Sequence, residues 1–377
     1  MSLKRLPSAS SLDAGRRHCL EHLATLGTLS AAGISLYSLG LQPAHAQVAA
    51  HAGGQTLHER RPLMGTLVDI TLEGATPDRL QAALESAYRE MTRLSDMMNH
   101  YSPDSVVSAV NLAAGVSPVA VPPELMQVLR MAQRVSERSQ GAFDITVASI
   151  KGWRFSNERR SMPAPDDIAR QLPLVNYRDL LLDVRKGTAF LKHQGMRMDL
   201  GGIAKIYILN AGLRSLKQQG VPHAMINGGG DVLVMSTADR HPWKVGIRDP
   251  RAPDKLLGVL SLRNGIVASS GDYERYFEVN GRRYHHILDP KTGYPTQGPH
   301  GVTLVSASLD RIDGLGAAIM VMGSQAGRRL IEATPGLDGL IVDDQRGVWM
   351  SPGMGHRWGY QDASTSLKME PLSGSTS

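Results

Sequence analysis

The sequence predicts an α+β fold, a single compact domain of largely antiparallel sheet with packed helices, and three observations point to it. Apolar runs of strand length follow one another through the second half of the chain. The Asn280-Gly281 pair sits between two such runs, where it suits the two-residue type I′ turn of a hairpin. Helical patterns do not alternate regularly with the strands, as a doubly wound parallel sheet would require.

Taken in order, the chain begins with Lys4, Arg5, Arg16 and Arg17 ahead of an uncharged segment from Leu23 to Leu41. Pro43-Ala44-His45-Ala46 then places small residues where signal peptidase cuts, so residues 1–46 read as a cleavable export signal. The adjacent Arg16-Arg17, and a core diluted by Thr25, Gly27, Thr28, Ser30 and Gly33, resemble a twin-arginine signal and predict a periplasmic protein. Residues 47–360 form the predicted domain, and Gln361 to Ser377 is a polar Ser/Thr-rich tail expected to be disordered.

Within the domain, Thr66 to Leu72 alternates like a half-buried strand. Pro77 to Met98 reads as a helix, with Thr76 at the N-cap, Pro77 at the first position and Leu80, Leu84, Ala87, Met91 and Leu94 inside. Leu125, Val128, Leu129, Ala132 and Val135 mark a second helix ending near Gly141. Alternating Met196, Met198 and Leu200 predict a strand that hands over to a helix carrying Ile203, Ile206, Leu209, Leu213 and Leu216, stopped by Gly220. Further strands are expected at Met225-Ile226, Val232 to Met235, Trp243 to Ile247 and Leu257 to Leu262. Val302 to Ser306 and Leu340 to Val342 complete the set, with a helix between them.

Composition excludes several function classes. The formal charge of +6 falls to +4 once the four basic and two acidic residues of the leader are removed, and no basic run is interleaved with aromatics, so nothing points to nucleic acid. The one cysteine, Cys19, lies in the leader, which leaves the mature chain without thiolate catalysis or cysteine-based metal sites. There is no Gly-x-Gly-x-x-Gly fingerprint and no Walker loop.

The most chemically loaded stretch is Met198-Asp199-Leu200-Gly201-Gly202-Ile203-Ala204-Lys205. Glycines at the start of a helix let backbone N–H groups approach an anion, and the helix N-terminus supplies partial positive charge. A lysine in that first turn is not favoured by the helix dipole, which points Lys205 toward a ligand. Asp199 suits either hydrogen bonding to a ligand or plain capping of the turn. His286, at the end of the strand leaving the Asn280-Gly281 hairpin, is placed to move a proton. His285 beside it faces the other way.

The order and spacing of Met64-Gly65-Thr66, Tyr101-Ser102-Pro103-Asp104-Ser105, Gly141-Ala142-Phe143-Asp144 and Asp199 to Lys205 resemble the ApbE family of FAD:protein FMN transferases. Ser269 to Tyr273, Tyr284 to Gly293 and Asp313-Gly314-Leu315-Gly316-Ala317 extend the resemblance, which spans Pro62 to Gly353. It implies a T-fold-related domain with the flavin in a deep cleft, FAD as substrate and Mg²⁺ as cofactor. The acceptor it implies is a flavoprotein with a target threonine, in a periplasmic or membrane-attached respiratory setting. It also implies site residues: Asp313 as the charged metal ligand with Gly202 and Ala317 beside it, His286 as the catalytic base, and Met64, Tyr101, Ala142, Phe143, Asp144, Asp199 and Lys205 around the flavin. Two departures stand out. Ala317 replaces a common threonine and so lacks a hydroxyl for the metal, and Ile206 replaces a usual glycine. An FAD pyrophosphatase and a non-catalytic FAD carrier are the alternatives.

Overall fold

A computed structural model describes residues 55–156 and 159–359. The predicted leader and the tail from Gln361 lie outside the described residues.

The frame is an eight-stranded sheet whose neighbours are consecutive: β1 (Thr56–Leu63), β2 (Thr66–Glu73), β3 (His223–Gly228), β4 (Asp231–Ser236), β5 (Gly265–Gly271), β6 (Gly301–Ser306), β7 (Leu337–Val342) and β8 (Val348–Met350). Every pairing in it is antiparallel. Helices fill the long connections: α1 (Pro77–Met98), α2 (Pro123–Arg138) and α3 (Ala204–Gln218) between β2 and β3, then α4 (Leu315–Met322) and α5 (Ser324–Glu332) between β6 and β7.

Both faces of the sheet are covered, which explains why strands such as β4 read as unbroken apolar runs. Val68, Ile70, Leu72, Ile226, Leu233, Ile266 and Leu304 face the helices and join the larger core. Met225, Val232, Val234, Val267, Val305 and Leu340 face the other way, against Trp243, Val245, Ile247, Leu257, Leu260 and Leu262. The latter belong to a smaller antiparallel sheet of Trp243–Asp249, Ala252–Leu262 and Trp358–Gly359. Each such fully buried aliphatic side chain contributes about 1.5–3 kcal/mol. The helix at Pro77–Met98 has its expected ends, with Thr76 at the N-cap and Pro77 in the first turn, and it buries Leu80, Leu84, Ala87, Met91 and Leu94. It lies close against α3 because Gly212 faces Met91; a Cβ there would come within 2.6 Å of the sulfur. Ile206, the departure noted in the sequence, is buried in the core on the same helix.

One expected element is absent. Met196, Met198 and Leu200 are buried in alternation, yet the segment pairs with no strand. Side chains substitute for a neighbouring strand: the Arg197 N–H donates to Ser149 Oγ at 3.0 Å, and Asn111 exchanges hydrogen bonds with the Met198 N–H and carbonyl at 2.8 and 3.0 Å. The Asp199 N–H donates to the Ile145 carbonyl at 2.9 Å. Period-two burial is real here; the ladder that normally accompanies it is not.

Candidate active site

The β1–β2 turn, the Gly229-Gly230 turn and the last residues of β5 meet at one end of the sheet, because β2, β4 and β6 start there while β3 and β5 finish there. The two glycines have φ of 60° and 93°, and a Cβ on Gly229 would come within 2.6 Å of Thr66 Oγ1, so the turn tolerates little else. It delivers Asp231, 4% exposed, into the interior. Asp231 Oδ1 accepts from the Ser269 N–H at 3.0 Å, and Oδ2 pairs with Lys205 Nζ at 2.7 Å.

Asp313 is 2% exposed, and neither of its carboxylate oxygens has a well-aligned hydrogen-bond donor. Burial first, then the negative charge of Asp231, push its pKa well above the carboxylate range; the Gly314 N–H and Lys205 act weakly the other way. Two carboxylates against one ammonium leave this cluster short of positive charge. Gly314, at φ 73°, turns the chain from Asp313 into α4. The Phe143 ring joins this turn to the glycine pair: it lies 3.1 Å from where a Cβ on Gly202 would stand and 3.4 Å from one on Gly314. Gly202 and Gly314 therefore approach one ring. Ala317, half-buried on α4, packs against the larger core. A buried carboxylate whose oxygens have no hydrogen-bond partner is a hard oxygen donor of the kind a Mg²⁺ site uses, so Asp313 fits that ion.

His286 follows the strand Arg282–His285, and its N–H donates to the Arg275 carbonyl at 3.1 Å. Its ring Nδ1 is buried without a partner. Burial chiefly, with Arg275, His285 and Lys205 in support, lowers its pKa to about 4, so the ring is neutral at pH 7. His285 is different: its Nε2 lies 2.8 Å from the Thr296 carbonyl and its Nδ1 faces the Ile287 N–H at 3.4 Å. Both nitrogens of His285 are engaged, and only His286 has one in reserve for a proton.

Met64 sits in the tight β1–β2 turn at φ 54°, a left-handed conformation that non-glycine residues rarely adopt. Tyr101 is 78% exposed, with its ring 3.8 Å from that of His100. His100 Nδ1 lies 2.9 Å from Asp199 Oδ1, and the same oxygen accepts from the Gly201 N–H at 2.8 Å. Burial opposes the charge of Asp199, but the hydrogen bond and charge of His100, the Gly201 N–H and the charge of Arg275 hold its pKa below the usual value. Ala142 and Phe143 are buried. Asp144 is committed to structure: it accepts from Thr146 N and Oγ1 at 2.8 and 2.6 Å and from the Tyr177 N–H at 2.7 Å.

Three side chains contribute that no motif of the sequence assigns. Asp231 follows a glycine turn and precedes an apolar strand, and a carboxylate in that setting is the signal that marks it. His100 is adjacent to Tyr101 but has no spacing that ties it to Asp199. Arg275, whose charge acts on both Asp199 and His286, lies in an exposed loop with no sequence mark at all.

The fold is an antiparallel α+β fold, and its candidate site brings a neutral imidazole and a buried unpaired carboxylate within reach of the charge of Lys205. The ApbE family profile matches residues 64–341. The chain belongs to the ApbE family. An FAD:protein FMN transferase of Treponema pallidum is 31% identical over 324 residues, 81% of this chain and 90% of its own length. One from Klebsiella pneumoniae is 32% identical over 276 residues, 72% of this chain and 85% of its own length. The crystal structure of the ApbE protein from Thermotoga maritima superposes with a TM-score of 0.74 at 30% identity, over 80% of this chain and 99% of that one. The flavin transferase ApbE from Vibrio cholerae gives 0.70 at 25% identity, over 81% and 100%.

Proposed function

We propose that this chain is an exported, Mg²⁺-dependent FAD:protein FMN transferase that moves the FMN half of FAD onto a threonine hydroxyl of an acceptor flavoprotein and releases AMP. The observation that carries the reading is two unsatisfied buried groups within reach of the charge of one lysine, Lys205: Asp313, a carboxylate without a well-aligned donor, and His286, a neutral imidazole whose Nδ1 has no partner.

In the proposed reaction the threonine Oγ attacks the FMN phosphorus while its proton passes to His286 Nδ1. The bond from that phosphorus to the bridging oxygen breaks, and the oxygen leaves with AMP. Lys205 and Arg275 balance phosphate charge, and the Gly201-Gly202 turn lets the backbone come close to it. Tyr101 offers the exposed flat ring for the isoalloxazine, and Met64, in the tight β1–β2 turn, an apolar contact. Asp313, with the Gly202 and Ala317 carbonyls, would hold Mg²⁺, which supplies charge neutralisation to the phosphate oxygens when bound. Asp231 fixes Lys205 at 2.7 Å and so orients its ammonium.

Arg16-Arg17 and the cut site after Ala46 support twin-arginine export to the periplasm. The acceptor in this reading is a periplasmic or membrane-attached respiratory flavoprotein.

Mass spectrometry after incubation with FAD, Mg²⁺ and a threonine-bearing acceptor tests the reading. The expected result is AMP together with acceptor carrying one FMN group on a phosphoester that survives denaturation. FMN plus AMP formed rapidly without acceptor would mean a pyrophosphatase, and FAD left intact under both conditions would mean a carrier.

A further inference from the structure

The opposite end of the sheet holds a second group of metal-ligating side chains. Glu73 closes β2 and is the register partner of His223, which opens β3. His241 lies in the loop after β4. One ligand atom from each lies within 4.8 Å of the other two. Five residue steps along β3 take His223 to Gly228 at the site end, roughly 17 Å at about 3.3 Å per residue.

The hydrogen bonding of His223 determines which of its nitrogens bears the proton. The ring is fully buried and stacks on Trp243 at 4.1 Å. Its Nδ1 is 2.9 Å from Ser236 Oγ, which also lies 3.2 Å from the carbonyls of Thr237 and His241. A carbonyl only accepts, so the serine hydroxyl donates to one of these and accepts from His223 Nδ1–H. The lone pair is then on Nε2, which is buried without a hydrogen-bond partner and stands 3.9 Å from Glu73 Oε2. That separation is too long for a hydrogen bond. Two electron-pair donors face each other across a gap that an electrophile would fill.

The geometry points to a site for a divalent transition metal of the Zn²⁺ class, held by His223 Nε2, a Glu73 carboxylate oxygen and His241. Two imidazoles and one carboxylate select such an ion over Mg²⁺ or Ca²⁺. With bonds of about 2.0–2.1 Å, tetrahedral donors lie about 3.3 Å apart. Glu73 and His241, both half-buried, close the remaining distance by side-chain rotation while His223 stays fixed. Ser236 acts as the orienting partner that ligating histidines commonly have. Two cations lie nearby: Arg240, whose guanidinium packs against Gly74 beside Glu73, and Arg263, which donates to the Thr237 carbonyl at 3.4 Å; the Glu73 carboxylate offsets part of their charge toward a bound ion. The bound ion ties the ends of β2 and β3 to the loop after β4, far from the transfer chemistry, so its effect is on stability.

The test uses the full chain stripped with EDTA and then held in saturating Mg²⁺, so that the Asp313 cluster does not compete. Titration with Zn²⁺, and with Co²⁺ as a spectroscopic probe, should show one tight site per chain and a Tm higher by several degrees. Glu73→Gln and His241→Ala, both folded by circular dichroism, should lose that site and the Tm response while keeping flavin transfer; Ser236→Ala should weaken it about 10- to 100-fold. Zn²⁺ bound equally well by wild type and both ligand variants would overturn the assignment, as would affinity no tighter than millimolar. So would a His223 ring that ¹⁵N NMR shows doubly protonated and unchanged by Zn²⁺.

Discussion

Replacing His286 by alanine tests the assignment of the base, because the buried ring sets the pH dependence that should disappear with it. Moving the ring from an ordinary value of 6.5 to about 4 disfavours its charged form by on the order of 3 kcal/mol. At pH 7 the free-base form then exceeds the protonated form by about a thousand to one. In the proposed role the ring would be always available but intrinsically weak, and its value would lie in position. Losing a positioned general base lowers turnover by about 10²- to 10⁴-fold. Measured as AMP release with acceptor present, kcat/KM of the wild type should be flat from neutral pH down to about 5 and fall with unit slope below about 4, the free-enzyme value. His286→Ala should lose activity in that range, lack this limb and still bind FAD, while His285→Ala, whose nitrogens serve Thr296 and Ile287, should keep most of its turnover. Equal losses in the two variants, or an acid limb that survives His286→Ala, would refute the assignment.

Asp313→Asn should abolish Mg²⁺-dependent transfer. Because the folded pKa of Asp313 is raised, its contribution to stability is present below the unfolded value and lost as pH rises through the folded one, so at pH 7 the metal-free wild type should melt below Asp313→Asn. Calorimetry should show Mg²⁺ raising the Tm of the wild type only. Ala317→Thr introduces a hydroxyl on the helix that follows Asp313 and should lower the Mg²⁺ concentration needed for half-maximal rate; an unchanged requirement would mean that this position does not reach the ion. Arg16→Lys combined with Arg17→Lys should leave uncleaved precursor in the cytoplasm, and mature protein still appearing in the periplasm would exclude the twin-arginine route.

The sequence carried the α+β class and most of the elements because their signals are local. Pro77 after Thr76, the apolar spacing along α1 and the Asn280-Gly281 turn, with φ of 51° and 74°, each specify structure within a few residues. The segment from Met196 to Leu200 shows where such reasoning stops. Its alternation reports burial, whereas strand identity depends on a partner, and here the partners are the side chains of Asn111 and Ser149. The site was legible in the same uneven way. Asp313 and His286 stood out because their motifs are compact. Asp231 and Arg275 act through charge across the fold, and His100 through one hydrogen bond to Asp199, and none of these leaves a spacing in the chain. Asp144 marks the reverse case, since its motif points to the flavin pocket while its carboxylate is spent on capping Thr146 and Tyr177.

The sheet itself explains why chemistry gathers where it does. Strands covered by helices on one face and by a second sheet on the other have no free face on which to build a cleft, so polar groups find room at the strand ends. At one end, consecutive antiparallel strands bring the turns at Met64-Gly65 and Gly229-Gly230 side by side, and the glycine turn delivers Asp231 to Lys205. Asp313 can remain unpaired there because the surrounding core is large enough to absorb the cost of an unsatisfied carboxylate, about 1–3 kcal/mol or more when charged. Such a cost persists only where something returns it, and a bound cation would. The same reasoning applies to His223 at the other end, where an imidazole nitrogen with no partner is buried beneath Trp243. The two orphaned groups differ in chemistry, a hard carboxylate at one and a softer nitrogen at the other. Mg²⁺ should therefore stabilise the protein through Asp313 and Zn²⁺ through His223, and the two increments should add in a double titration, since ligand sets with no shared partner and well over 10 Å apart couple weakly.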